Sequence, residues 1–253
     1  MSRDFGAFGH AVVRRLPFLE KELLDLPRFV APDAVCIDVG ASYGVYTVVL
    51  SRLVGPGGQV IAIEPRPRSL HVLRTARALL GVRNVRILPI AVSDRAGGET
   101  LVTPRRRWLL PVPGRTFLKG GMEGSGGDYY DGWRDEFGGA AEVDVPTATL
   151  DDVVQRARLE RLDLIKIDVE GAELRVLHGA ADALRRWRPV VICEIEDRHT
   201  RKYGHGADDV LRALTDLGYR ALVFTDPGHR QVTTVDPAER NHVFVPEESI
   251  HTL

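Results

Sequence analysis

The chain has 253 residues and 44% hydrophobic content, which suits a single α/β domain with a sizeable core. Its formal net charge of −1 makes no electrostatic case for nucleic acid or an anionic membrane as partner. With no apolar run near the roughly 18 residues of a membrane helix, no leading h-region, and two cysteines, Cys36 and Cys193, inside apolar runs, a cytoplasmic protein without a disulfide framework is expected.

Residues 1–31 read as a helical lead-in, with Leu16, Leu19, Leu23 and Leu24 near helical spacing. Strands and helices then alternate. A strand at 35–39 runs into a helix at 44–54, which Gly55-Pro56-Gly57-Gly58 ends. A strand at 59–63 precedes a helix at 68–80, with Leu70, Leu73, Ala76 and Leu80 on one face. A strand follows at 85–91. Thr149-Leu150-Asp151-Asp152 resembles a capping box for a helix at 150–158. A strand at 162–168, a helix at about 172–187, a strand at 190–195 and a helix at 207–217 continue the alternation. Strands near 219–224, 231–235 and 242–245 finish the chain, antiparallel. Repeated βα units predict a doubly wound, mainly parallel sheet with right-handed crossovers.

Residues 95–148 break the alternation. The stretch 104–141 holds 9 of the 25 glycines and 6 of the 17 aromatics. The glycine excess argues against a regular core element. The aromatics (Trp108, Phe117, Tyr129, Tyr130, Trp133 and Phe137) argue against a plain linker. Functional lids have this composition, as do surface insertions. The flanks 99–103 and 142–145 pair in this reading as a short ribbon. Arg105, Arg106 and Arg107 either meet an anionic substrate group or form a solvated basic face.

The strand at 35–39 ends in Ile37-Asp38-Val39-Gly40-Ala41-Ser42-Tyr43-Gly44. A dinucleotide fingerprint needs Gly-x-Gly-x-x-Gly, whose second glycine admits the pyrophosphate. Ser42 stands at that position. Asp38 would also repel a phosphate placed beside Gly40, and favours a cationic ligand. S-adenosylmethionine carries an ammonium and a sulfonium and has no phosphate. Glu64 ends the next apolar run, where it can accept hydrogen bonds from ribose hydroxyls.

Three segments together resemble the FkbM family of S-adenosylmethionine-dependent methyltransferases. They are the glycine segment 37–44, Ile90-Ala91-Val92-Ser93-Asp94, and Thr149-Leu150-Asp151-Asp152 leading to Ile165-Lys166-Ile167-Asp168-Val169-Glu170-Gly171-Ala172-Glu173. The similarity runs from about residue 33 to 196, and the last segment is the most specific. The resemblance implies a class I methyltransferase domain over 32–253, with a seven-stranded Rossmann-like sheet and 95–148 as a substrate lid. It implies O-methylation of a sugar, polyketide or other secondary metabolite, hence a small-molecule or glycosyl substrate. By the same carry-over Gly40, Ala41, Ser42, Tyr43 and Gly44 wrap the methionine part of the cofactor. Glu64, followed by Pro65, takes the ribose. Ile90, Ala91 and Ser93 border the adenine.

Methyl transfer to a hydroxyl needs an aligned oxygen and a base. Asp168 and Glu194 finish neighbouring strands, with Glu170 just beyond. They act as base, hold substrate hydroxyls, or bind Mg²⁺, a hard ion suited to carboxylates. In the structural alternative Asp168 and Glu170 only cap the following helix. Lys166, inside its strand, fits a structural or a functional role equally. His199 is the second-choice base. Two other functions compete: a nicotinamide-dependent oxidoreductase, which Ser42 disfavours, and a catalytically silent Rossmann-like binding module.

Overall fold

Short β-branched runs bounded by glycine, proline and acidic residues supply the central strands. The computed structural model describes residue 23 and residues 25–104, 116–121, 140–225 and 228–252. Leu16, Leu19 and Leu24 of the lead-in, Arg105 to Arg107, and every aromatic of 104–141 except Phe117 lie outside the described residues. A short helix α1 (Leu26–Phe29) precedes β1 (Val35–Val39), α2 (Val45–Val54), β2 (Gln59–Ile63), α3 (Pro67–Leu79) and β3 (Val85–Leu88). Then come β4 (Ala91–Val92), β5 (Gly97–Pro104), β6 (Phe117–Leu118), β7 (Ala140–Ala148) and α4 (Leu150–Ala157). The rest is β8 (Leu164–Ile167), α5 (Glu173–His178), α6 (Ala181–Trp187), β9 (Val190–Glu194), α7 (Asp197–Thr200), α8 (Ala207–Thr215), β10 (Tyr219–Phe224), β11 (His229–Val232) and β12 (Asn241–Pro246).

The main sheet has the order β11-β10-β12-β9-β8-β1-β2-β3. The five strands from β9 to β3 pair in parallel, and β12, β10 and β11 pair antiparallel. This is the expected mainly parallel sheet with antiparallel C-terminal strands, carrying one strand, β11, beyond the seven that the resemblance implied. Because side chains alternate along a strand, the sheet buries two separate faces. Ile37, Ile61, Ile165 and Val191 meet Leu150, Val176, Leu184 and Leu214 of α4, α5, α6 and α8 on one face. Cys36, Val60, Leu164 and Ile192 meet Leu26, Leu50, Val54 and Leu73 of α1 to α3 on the other. Both cysteines are free, buried and part of this packing. Each fully buried aliphatic side chain contributes roughly 1.5–3 kcal/mol.

Three expected elements are corrected. The strand at 85–91 is two: Pro89 has no N–H to pair, β3 stops at Leu88, and Ala91-Val92 crosses to a second sheet. The helix at 172–187 is also two, α5 and α6, separated at Gly179-Ala180. A Cβ on Gly179 would overlap the carbonyl of Ser93, so this break seats the β4 segment against the helices. The ribbon at the base of the insertion is part of a larger unit, a four-stranded sheet of order β4-β7-β5-β6. Its β5–β7 pairing includes the expected flanks, with Glu99 opposite Val145 and Val102 opposite Glu142.

The capping box is present and does more than end one helix. Thr149 Oγ1 accepts from Asp152 N at 3.0 Å, and Asp152 returns the bond to Thr149 N. Asp151 turns its carboxylate to the backbone N–H groups of Asp182 and Ala183, so one dipeptide caps both α4 and α6. No helix among the described residues is long and apolar enough to cross a membrane.

Candidate active site

Two cavities open at the carboxyl edge of the parallel strands, on either side of Gly40 and Asp168. One, of about 180 Å³, is lined by Asp38, the turn from Gly40 to Tyr43, Tyr46, Lys166 and Asp168. The other, of about 60 Å³, is lined by Glu64, Pro65, Arg66, Ile90 and Ala91, and closed by Leu101 and Phe117 of the second sheet.

The turn owes its shape to Gly40. Its φ of +82° is left-handed, and a Cβ there would overlap the carbonyl oxygen of Asp168. The glycine thus lets the end of β1 lie directly on the end of β8. Ser42, also left-handed at φ +48°, donates its N–H to Glu64 Oε2 at 2.8 Å. Asp38 is buried, and its Oδ2 accepts from Thr47 Oγ1 on α2 at 2.5 Å. Burial pushes the Asp38 carboxyl up to about 6, against the opposing pull of the Thr47 hydrogen bond and the Lys166 charge. A carboxylate kept at this cost beside a cavity suits a cationic ligand.

Glu64 is also buried, and both of its oxygens are engaged. Oε1 accepts from Arg66 N and Nε, each at 2.8 Å, while Oε2 accepts from Ser42 N. A ribose diol placed here competes with the Arg66 guanidinium for the carboxylate. Ile90 and Ala91 line the same cavity. Ser93 departs from its expected place. It is fully buried, bonds Asp94 through its hydroxyl at 3.0 Å, and rests its carbonyl on Gly179.

Across the turn, Asp168 and Glu194 stand side by side at the ends of β8 and β9. Burial, then the adjoining Asp168 carboxylate and their mutual hydrogen bond, hold the Glu194 carboxyl far above the usual range, with Lys166 opposing. The two carboxyls share one hydrogen bond and so act as one unit at the strand ends. Among the described residues no group of three or more His, Cys, Asp or Glu side chains is arranged to hold a metal.

The turn after β8 is held from below. Glu173 Oε1 accepts from Gly171 N at 2.9 Å and Val169 N at 3.4 Å, and burial pushes its carboxyl up to about 7. Glu173 thus holds the turn before α5, and α5 has no side-chain cap at its N-cap residue Ala172, so the cap expected of Asp168 or Glu170 is not formed. Glu170, left-handed at φ +57°, lines the smaller cavity and places Oε2 at 2.9 Å from His199 Nδ1. His199 is buried, with Lys202 Nζ at 3.1 Å from the same nitrogen, so it supports Glu170 rather than reaching either cavity.

The second sheet is fastened over this edge. Arg175 on α5 bonds Asp94 Oδ1 at 2.9 Å and forks onto Glu99 of β5. Leu118 of β6 donates its N–H to Tyr203 Oη at 2.9 Å. Sequence reasoning did not find Thr47, Arg66, Arg175 or Tyr203. Thr47 lay within its reach, since a threonine three residues into a helix lies near the strand end that precedes it.

The methyltransferase FkbM domain model matches residues 38–221. Methyltransferase sdnD from Sordaria araneosa is 33% identical over 156 residues, 56% of this chain and 59% of that protein. The 31-O-demethyl-FK506 methyltransferase FkbM of Streptomyces tacrolimicus is 32% identical over 182 residues, 66% of each protein. The matches thus span about six tenths of these relatives' own length. In fold, the chain is similar to the crystal structure of methyltransferase FkbM from Methylobacillus flagellatus KT. The TM-score is 0.50 at 17% identity, covering 91% of this chain and 46% of that one. The family match takes in the glycine turn, Glu64, the acidic pair and the roof strands alike, and the chain belongs to the FkbM methyltransferase family.

Proposed function

We propose that this chain transfers a methyl group from S-adenosylmethionine to a hydroxyl oxygen of a small-molecule or glycosyl acceptor. The observation that carries the reading is the Asp168–Glu194 pair, which meets the glycine turn at Gly40. Family membership supports methyl transfer, and the activity named for the Streptomyces relative, a 31-O-demethyl-FK506 methyltransferase, supports oxygen as the acceptor atom. The near-neutral net charge speaks for a small acceptor over nucleic acid or a membrane.

The cofactor supplies an electrophilic methyl on a sulfonium. Gly40 to Gly44 leave the backbone open for close approach, Asp38 offers a carboxylate to a cation, and Glu64 accepts from a diol. Asp168 accepts the proton of the attacking hydroxyl, for which a positioned base gives roughly 10²–10⁴-fold. Glu194, its carboxyl raised by burial and the Asp168 charge, fixes Asp168 by their mutual hydrogen bond. Glu173 sets the turn that aims Asp168 and Glu170. The second sheet closes the edge against water.

Thermal shift with S-adenosylhomocysteine and with NAD tests the cofactor, and stabilisation by NAD alone overturns it. A panel of hydroxylated acceptors read by mass spectrometry for one added methyl finds the substrate. On that substrate Asp168→Asn lowers kcat roughly 10²–10⁴-fold with S-adenosylhomocysteine affinity intact. Full turnover in Asp168→Asn removes the base assignment.

A further inference from the structure

The net charge of −1 averages over an uneven chain. From Pro65 to Ser93 there are six arginines and no aspartate or glutamate. Arg68, Arg74 and Arg77 lie on α3, Arg83 lies on the loop after it, and all are exposed. Among the described residues their guanidinium groups make no ion pair or hydrogen bond, whereas Arg66 is answered by Glu64. Arg52 joins them from the end of α2, its Nη2 donating to the Leu80 carbonyl at 3.0 Å.

The same flank exposes apolar side chains. Val72 is 43% exposed, Leu79 81% and Leu80 47%, and these are half of the large hydrophobics exposed among the described residues. Arg68, Val72 and Leu79 follow helical spacing along the outer stripe of α3. Beside the helix, β3 is the last strand of its sheet. An ordinary solvated helix face interleaves charges of both signs and shows few large aliphatics. Aliphatic anchors ringed by arginine are the composition of a protein interface.

Charge selects the occupant. A second copy placed about a two-fold axis would set arginine against arginine. A nucleic acid or a lipid surface feels the field of the whole chain, which is near neutral. A protein face feels chiefly the charges within roughly 10 Å, and over that range this flank is basic. We propose that the outer face of α3 is a docking surface for a separate protein whose own face sets carboxylates around an apolar centre. The helix starts next to Arg66, which lines the smaller cavity, so the partner sits beside the proposed site. This docking face is independent of the methyl-transfer reading.

The test is fluorescence titration of the full chain with two labelled helical peptides. One carries a leucine stripe flanked by glutamates, the other the same stripe flanked by lysines. The glutamate peptide is expected to bind with a Kd of about 100 µM or tighter, weakening severalfold as salt rises from about 0.05 to about 0.3 M. The lysine peptide is expected not to bind. Combining Arg68→Gln, Arg74→Gln and Arg77→Gln should weaken the glutamate peptide roughly tenfold, as three exposed ion pairs would. Leu79→Ser should weaken it by about tenfold through lost apolar burial. Lysine at the same three arginine positions keeps the charge and should keep the binding. No binding of the glutamate peptide, equal binding of both peptides, or binding that survives the glutamine substitutions overturns the proposal. Tighter binding to phosphatidylglycerol vesicles or to duplex RNA, lost on the same substitutions, gives the face to another class of partner and also overturns it.

Discussion

Replacing Asp38 by Asn separates what this buried carboxylate costs the fold from what it does for the site. Burial raises its pKa from 3.8 to about 6. The folded value lies above the unfolded one, so the group's contribution to stability is fully present below about pH 4. It is lost as pH rises to about 6. A shift of about 2 units at about 1.4 kcal/mol per unit makes the loss about 3 kcal/mol. Asn keeps an acceptor for Thr47 and cannot ionise. Its amide brings a packing cost of its own, but that cost does not depend on pH. The stability of Asp38→Asn relative to the unaltered protein should therefore rise by about 3 kcal/mol between pH 4 and pH 7, read from urea unfolding at matched pH. The variant's affinity for S-adenosylhomocysteine should fall roughly 10- to 100-fold. A stability difference that stays flat within about 0.5 kcal/mol across this range would refute the claim that Asp38 is held ionised against its burial.

Gly40→Ala combines left-handed strain, about 1–2 kcal/mol, with displacement of the Asp168 carbonyl, about 1–3 kcal/mol. Guanidinium unfolding should show a loss of about 2–5 kcal/mol, and a loss under about 1 kcal/mol contradicts the contact. Thr149→Ala removes the cap on α4 and should cost about 1 kcal/mol, seen as a fall of about 2–4 °C in Tm; an unchanged Tm rules the cap out as a stabiliser. A double-mutant cycle of Arg175→Met and Glu99→Gln should give a coupling of about 1–3 kcal/mol, while additive losses would mean that the clamp on the second sheet does not hold.

The main sheet was legible because its strands are short apolar runs punctuated by glycine and proline, and the period-2 alternation of Cys36 and Ile37 assigns each to a face. Legibility failed where a contact distant in sequence decides local structure. Leu174 to Leu184 keep a helical period, yet the Ser93 carbonyl enters at Gly179 and divides the helix. Pro89 was a visible signal, outweighed in the sequence reading by the apolar residues around it. In the site, the glycine turn and Glu64 could be placed from spacing alone, since both follow strand ends. The raised Glu194 carboxyl could not, because it depends on burial and on the nearness of Asp168. Glu173 was visible in its motif, but its backbone partners, two and four residues upstream, depend on the reverse turn between them.

The contact between Gly40 and the Asp168 carbonyl sets a boundary for redesign. The loop proposed to receive the methyl donor and the strand end that carries the acidic pair touch without an intervening side chain, so neither can be moved to suit a new acceptor without moving the other. Leu101, Phe117 and Leu118 border the smaller cavity from a separate sheet, whose polar attachments include the Arg175 clamp and the Tyr203 hydroxyl. Substitutions at Leu101 and Phe117 reshape the cavity that Glu64, Ile90 and Ala91 also line, so they should change donor affinity along with whatever else that cavity admits.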